Sequence, residues 1–458
     1  MKTETIAAIA TGLSNAGISI VRISGENAVE LTDKIFSSKK ENFHLSEAKS
    51  HTIHYGTIVS KGEALDEVLV SVMKAPNSYT RENVVEINCH GGIVVTKKIL
   101  EAVLQAGARP AEPGEFTKRA FLNGRLDLSQ AEAVIEIIQA KSELALKNSV
   151  RQLKGKIQEK IIRLREQILR DIAFLEAALD DPEHISLDGF AETLKENVEK
   201  EIVVISEMIQ SYENGRMLRE GVRTVILGKP NAGKSSLLNT MLKEERAIVT
   251  EIAGTTRDTL EETVFLNGVA LNIVDTAGIR WTKDTVERIG VDKARAAAKD
   301  ADLILYVVDS SVPLDENDME IITLIASKPA FILLNKSDLQ QVVSEEELRK
   351  HTLKEIVRIS VKEKEGLDLL EQKITDLFFS GVLSYNDEIY LTNERHKAAL
   401  HTAVQSLSQV LESINQGMPE DFYSIDLTDA YEELGRIIGQ SVDEDVINKI
   451  FQDFCMGK

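Results

Sequence analysis

Short β-branched runs with partial alternation of apolar and polar positions come first in the chain: Ile18-Ser-Ile-Val-Arg22-Ile, Glu67-Val-Leu-Val-Ser-Val-Met73 and Val84-Val-Glu86-Ile-Asn-Cys89. A period near two is that of a strand whose two faces differ. From Val94 to Gln105 the period lengthens to that of a helix, which Gly107 ends. Residues 1 to about 119 therefore predict a small α+β domain. Arg109-Pro-Ala-Glu-Pro113-Gly holds two of the chain's eight prolines and reads as a rigid linker.

From about Asp127 to Leu179 a helical apolar pattern is sustained with almost no Pro or Gly. Asp127 or Ser129 is available as its cap, and Gly155 is its one weak point. A second helical stretch runs from about Ala191 to Tyr212; Gly215 and Gly221 then bracket a break before the buried strand Arg223-Thr-Val-Ile-Leu227. The helical pattern resumes from roughly Asn393 to the end. Long helices bury their apolar stripes only against partners, so a helical domain interrupted by an inserted domain is the economical account. The expected division is 1–119 for the first domain, 120–220 and 381–458 for the two parts of the helical domain, and 221–380 for the insertion.

At 458 residues, 43% of them apolar, the chain exceeds one core's usual size and can bury two or three. No uncharged apolar run reaches the length of a membrane span, and Met1-Lys-Thr-Glu4 breaks a signal peptide's pattern with an acid, so the expected compartment is the cytosol. Two cysteines, Cys89 and Cys455, are too few for a disulfide framework or a zinc cluster. A net charge of −20 argues against a generally basic nucleic-acid binder, so any RNA contact must be local. Residues 141 to 170 are the one basic stretch, and a solvated face of a long helix is the favoured account of it over an RNA contact.

The chemistry is concentrated in residues 228 to 338. Gly228-Lys-Pro-Asn-Ala-Gly233-Lys234-Ser235 is a phosphate-loop pattern that chance produces in a chain this long with a probability of roughly one or two per cent. Gly254-Thr-Thr256-Arg, Asp275-Thr-Ala-Gly278 and Asn335-Lys336-Ser-Asp338 follow it in the order of a GTP-binding domain. Gly228 and Gly233 let the backbone turn so that successive N–H groups, with those of Ala232 and Ser236, face phosphates at a helix N-terminus. Lys234 is placed to reach the β- and γ-phosphates and Ser235 to ligate Mg²⁺. Thr256 is placed to bring a hydroxyl to Mg²⁺, Asp275 to hold the metal, and Gly278 to approach the γ-phosphate. The Asp338 carboxylate accepts from the N1 and N2 hydrogens of guanine but would face an acceptor in adenine, which selects GTP over ATP. Ser360-Val-Lys362 stands where a base-binding loop belongs.

One part is missing. The residue after Asp-x-x-Gly is often a Gln that orients the attacking water; here it is Ile279, which hydrogen-bonds nothing. An arginine finger is worth 10³ to 10⁵ in rate, about 4 to 7 kcal/mol, so a substitute of similar size is needed. A cation beside the phosphates could supply it. Asn231 offers a side-chain carbonyl there, and the loop from Thr250 to Thr255 further oxygens; Asn231 reads equally as a turn residue capping its own loop.

Over its whole length the sequence resembles the tRNA-modification GTPases of the MnmE (TrmE) family. The resemblance rests on Ser14 to Gly25 with Arg22-Ile-Ser-Gly, Pro76-Asn-Ser-Tyr-Thr80, His90-Gly-Gly92, Pro113-Gly-Glu-Phe-Thr117, Phe121-Leu-Asn-Gly-Arg125, the G motifs and the terminal Phe454-Cys455-Met-Gly-Lys458. The resemblance implies a multidomain α/β protein: an N-terminal α+β domain that binds 5-formyl- or methylene-tetrahydrofolate and dimerises, a long-helix domain, and an inserted Ras-like P-loop GTPase domain dependent on K⁺ and Mg²⁺. The family's potassium ligands fall on Asn231, Thr250, Ile252 and Thr255, its water-positioning carboxylate on Glu287, and its folate contacts on Arg22, Glu86, Arg125 and Lys458. It also implies a homodimer that joins a flavin-dependent MnmG (GidA) partner in a heterotetramer and modifies the wobble uridine of certain tRNAs. Cys455 reads equally as a buried apolar residue and as a thiol near the folate or the uridine. A switch-type ribosome-assembly GTPase would share the G motifs but usually carries a basic RNA-binding module, which the acidic segment after Gly381 is not. A folate-dependent one-carbon transferase with a regulatory G domain is the third reading.

Overall fold

The computed structural model describes residues 4–244, 261–266, 269–274, 298–379, 389–440, 442, 444–452, 454, 456 and 457. The chain divides into two compact units: 1–138, 149–205 and 398–458 form the first, and 139–148 with 206–397 the second. The second is thus inserted within the first in sequence.

The first unit opens with a seven-stranded sheet of β1 (Ile6–Ile9), β2 (Ala16–Ser24), β3 (Phe36–Ser38), β4 (Thr52–Ser60), β5 (Glu63–Met73), β6 (Val84–Gly91) and β7 (Arg109–Pro110), in the order β3-β4-β5-β6-β2-β1-β7. All neighbours are antiparallel except β1 and β7. Helix Ile93–Gln105 covers one face through Ile99, Ala102 and Val103, which join Val21, Ile23, Val70, Val85 and Ile87 in the core. The expected linker is corrected here. Arg109 N donates to Thr5 O at 2.8 Å and Ala111 N to Ala7 O at 3.0 Å, so the segment enters the sheet. Pro110 is tolerated because only the residues flanking it donate to β1, while β7 is the edge strand.

The sustained helical pattern over 127–179 is three helices: Leu128–Gln139, Glu143–Leu153 and Lys156–Asp180. Asp127 is the cap, its Oδ1 accepting from Gln130 N at 2.8 Å and Ser129 Oγ at 2.7 Å while Gln130 Oε1 accepts from Asp127 N at 3.0 Å. This is the reciprocal arrangement of a capping box. Besides the break at Gly155, Ser142 begins a new helix by accepting from Ala145 N at 3.1 Å. Helix Asp421–Ile437 is locked to Lys156–Asp180 by the buried Arg165, which donates to Tyr431 O at 3.0 Å and lies 3.9 Å from the Tyr431 ring centroid. Such a desolvated cation–π contact is worth about 2 kcal/mol.

The second unit holds a six-stranded sheet of β8 (Val222–Leu227), β9 (Glu261–Leu266), β10 (Val269–Val274), β11 (Leu303–Asp309), β12 (Ala330–Asn335) and β13 (Glu355–Arg358), in the order β13-β12-β11-β8-β10-β9. Only the β9–β10 pair is antiparallel. Every residue of β11 and β12 is buried, as expected of central parallel strands covered on both faces. Leu305 and Leu333 pack on one side, Ile304, Tyr306 and Ile332 on the other.

The break expected at Gly215 does not occur: helix Phe190–Glu220 runs through it. A Cβ at Gly215 would collide with the carbonyl of Leu391, whose N–H donates to Ser211 Oγ at 3.2 Å. The glycine therefore marks a close approach of two backbones rather than a turn. Asn148 and the Tyr390 backbone exchange two hydrogen bonds of 3.1 Å beside it.

A buried carboxylate of the first unit is left unsatisfied. Glu201 is 4% exposed and neither carboxylate oxygen has a hydrogen-bond partner; burial, and then the charge of Asp171, push its pKa up to about 8. The fold therefore holds a proton that the unfolded chain releases near its ordinary value of 4.5, so stability is lost as pH rises from there to about 8 and is flat beyond. Glu201→Met, of similar volume, should be more stable than the parent by on the order of a few kcal/mol at pH 9 and by much less at pH 5. Urea unfolding at both pH values checks this; an equal difference at the two would contradict it.

Candidate functional site

The phosphate loop links β8 to helix Lys234–Glu244, at the carboxyl end of a central parallel strand where open α/β sheets bind ligands. A Cβ at Gly228 would collide with Val307 O and one at Gly233 with Asn335 Nδ2, and both residues have positive φ, so the loop tolerates only glycine there. Asn231, at φ 63°, also takes the left-handed conformation. Lys234 Nζ turns back onto the carbonyls of Gly228 and Lys229, at 2.7 Å each, and burial lowers its pKa. A triphosphate's charge restores what burial costs this ammonium, which is the fit expected of a phosphate-binding lysine. Ser235 and Ser236 are exposed in the helix's first turn, and Ala232 is buried.

Asn335 ends β12 and joins three segments. It is 2% exposed; its Nδ2 donates to Ala232 O in the phosphate loop at 2.8 Å, and its Oδ1 accepts from Val361 N at 3.2 Å. Asp338 accepts from Ser360 Oγ at 2.7 Å, a hydrogen bond that lowers the carboxyl's pKa and keeps it an acceptor. Ser360 Oγ in turn accepts from Glu363 N at 3.2 Å. The structure thus brings together Gly228, Asn231, Ala232, Gly233, Lys234, Asn335, Lys336, Asp338 and Ser360 in one unit. Thr250, Ile252, Thr255, Thr256, Asp275, Gly278, Ile279 and Glu287 lie outside the described residues.

Sequence reasoning named Lys336 but missed Asp309 and Ser310, which support it. Lys336, at φ 64°, forms an ion pair with Asp309, the last residue of β11, and its carbonyl accepts from Ser310 Oγ at 3.2 Å. A carboxylate closing an apolar strand level with Asn335 was the available signal, since β11 and β12 pair Asp309 with Asn335.

A second cluster lies in the first unit. Arg22 and Glu86 face each other across β2 and β6, with Nε donating to Oε1 at 2.8 Å. Arg22 also donates to Gly457 O at 3.0 Å, bringing the C-terminal segment to this point. The Tyr79 ring lies 4.7 Å from the guanidinium of Arg125 and 5.6 Å from that of Arg22, and its hydroxyl is 2.9 Å from Thr117 Oγ1. Tyr79 and Gly457 were not foreseen, although both fall in motifs quoted above. Arg125 is exposed and has no carboxylate partner among the described residues, so the cluster offers a cation and an aromatic face to an anionic ring-bearing ligand. Lys458 and Cys455 lie outside the described residues.

A phosphate loop at the carboxyl end of a parallel strand, tied through Asn335 to the loop that holds the Asp338 carboxylate, is the arrangement of a P-loop GTPase. The segment 5–125 matches the family model described as GTP-binding protein TrmE N-terminus, and 128–455 matches that of the MnmE helical domain. Both the tRNA modification GTPase MnmE of Lachnoclostridium phytofermentans, 63% identical over 458 residues, and that of Acetivibrio thermocellus, 48% identical over 462, are covered in full and cover this chain in full. The solved structure of Aquifex aeolicus Era bound to GDP·AlF4⁻ is 29% identical and covers 40% of this chain and 66% of that one, with a TM-score of 0.28. The chain belongs to the MnmE (TrmE) family of tRNA-modification GTPases, and it is a GTP hydrolase with an N-terminal α+β domain, a long-helix domain and an inserted G domain.

Asp338→Asn replaces an acceptor with an amide that can donate to the extra oxygen of xanthine. Competition binding should show GTP affinity falling by about tenfold or more, with XTP becoming the preferred nucleotide; undiminished GTP affinity would contradict the assignment.

Proposed function

We propose that this chain is a potassium-dependent GTPase that works on tRNA with a flavin-dependent partner of the MnmG (GidA) type. In this reading the pair, a heterotetramer built on a homodimer of this chain, installs an aminomethyl or carboxymethylaminomethyl group at carbon 5 of the wobble uridine. The carbon comes from methylene-tetrahydrofolate. The N-terminal domain over 1–119 and the C-terminal end hold the folate through Arg22, Glu86, Arg125 and Lys458. The G domain over 221–380 binds GTP with Mg²⁺ on Ser235 and Thr256 and K⁺ on Asn231, Thr250, Ile252 and Thr255, with Glu287 positioning water. The helical segments 120–220 and 381–458 complete the chain.

The observation that carries the reading is that two chemically different binding clusters occur in different units. The Arg22–Glu86–Tyr79–Arg125 cluster suits a pterin-like ring with a carboxylate tail, while the Asn335-centred site suits a guanine nucleotide. The homodimer is supported by the apolar side chains Ile53, Tyr55 and Leu69, which are 65%, 50% and 48% exposed. Tyr55 and Leu69 are direct cross-strand partners on β4 and β5, with Ile53 on the same face. No helix among the described residues is long and apolar enough to cross a membrane.

Because the clusters lie in separate units, their losses should separate. Arg125→Ala should weaken 5-formyl-tetrahydrofolate binding by about tenfold or more and abolish wobble-uridine modification while leaving GTP turnover in K⁺ near normal. Asn231→Ala should leave folate binding intact and remove the excess of turnover in K⁺ over Na⁺. Calorimetry, nucleoside analysis of tRNA and GTPase assays in the two salts make the test. Loss of turnover in a folded Arg125→Ala, or equal rates of the parent in both salts, would overturn the scheme.

A further inference from the structure

The second residue of the phosphate loop, Lys229, is tied to two acids at the start of a neighbouring helix. Its Nζ donates to Asp318 Oδ2 at 2.7 Å and to Asp315 Oδ2 at 3.0 Å. Both acids belong to the start of helix Glu316–Ile325, where Asp315 and Asp318 form a reciprocal capping box: Asp318 N donates to Asp315 Oδ1 at 3.2 Å and Asp315 N to Asp318 Oδ2 at 2.9 Å. The other oxygen of Asp318 accepts from Tyr306 Oη, in the middle of β11, at 2.6 Å. Asp318 is 1% exposed and Tyr306 is fully buried, so this carboxylate is a desolvated anchor whose acceptor sites are filled by a strand, a helix cap and the loop.

The same residue also governs where Lys234 rests, because Lys229 O is one of the two carbonyls that Lys234 Nζ holds. A surface ion pair would matter little to the loop, since exposed pairs contribute almost nothing. Here one partner is buried and hydrogen-bonded on every side, and removing the cation leaves its charge uncompensated. Burial works against the Lys229 charge, but the hydrogen bonds to Asp318 and Asp315 outweigh it and raise its pKa.

We propose that Lys229 is a positioning residue for GTP binding: tethered to Asp318 and Asp315, it holds the phosphate loop and the resting place of Lys234 in the anion-binding shape before nucleotide arrives. Pre-organisation of this kind lowers the cost of binding and acts equally on the ground and transition states. It therefore appears in affinity and KM rather than in kcat.

The test uses the full-length protein with GDP binding by calorimetry, steady-state GTP turnover and nucleotide-free thermal midpoints. Lys229→Met should raise the GDP Kd and the GTP KM by about tenfold and leave kcat within about twofold. Lys229→Arg keeps the charge and reach and should restore most of the affinity. A Kd within about twofold of the parent in Lys229→Met, even with a lowered midpoint, overturns the proposal and leaves Lys229 a purely structural ion pair. A fall in kcat at unchanged KM overturns it in the other direction, placing Lys229 at the reacting phosphate. If Lys229→Met does not fold, Tyr306→Phe removes one donor from Asp318 and keeps every charge. It should then raise the Kd by about two- to fivefold, and an unchanged Kd overturns the proposal in that case too.

Discussion

The nucleotide site depends on two hydrogen bonds made by one buried amide. Asn335 bridges the phosphate loop at Ala232 and the base-side loop at Val361, segments more than a hundred residues apart in sequence. Buried amides are costly when unpaired and inexpensive when satisfied, so the residue that cannot leave β12 dictates where both loops stop. Glycine at 233 follows from it, because any side chain there would occupy the space of the Asn335 amide. The direction of the Asp338 carboxylate follows as well, since Ser360, next to Val361, is the residue that holds it.

Buried polar groups in the two units differ in how fully they are satisfied. Asn335 and Asp318 are almost completely buried, and each is hydrogen-bonded to more than one segment, so each specifies a geometry. Glu201 is comparably buried yet holds nothing, which costs the helical domain stability without fixing a contact. The difference locates where precise geometry matters. It is dense around the nucleotide loops, around Arg22, Glu86 and Tyr79, and where Arg165 joins two long helices.

The nucleotide motifs were legible because each is a local solution to a local constraint: glycines where backbones must approach, a lysine at a helix start, a carboxylate three residues beyond a strand. The family resemblance reached the remaining positions. What sequence could not settle was non-local. Gly215 looked like a helix break because a glycine inside a helix reads the same whether it terminates the helix or admits a neighbouring backbone, here that of Leu391. Arg109-Pro110 looked like a linker because strand pairing with β1, about a hundred residues earlier, leaves no local signature. Asp127 was legible only as one of two candidate caps, with Ser129, and the restart at Ser142 is carried by a single hydroxyl within a continuous apolar pattern. Likewise Arg22 and Glu86 each sit on an alternating strand, and only the β2–β6 register makes them partners.

That Asn335 assembles the site ahead of its ligand is tested most directly by Asn335→Ala. Truncation leaves the Ala232 carbonyl and the Val361 N–H without their partner, at about 1 to 3 kcal/mol for each buried group, so GDP affinity measured by calorimetry should fall by roughly tenfold or more. Amide hydrogen exchange in the nucleotide-free protein should quicken in both the 228–235 and the 358–363 segments together. GDP affinity equal to the parent's, or faster exchange confined to one of the two segments, would contradict the account.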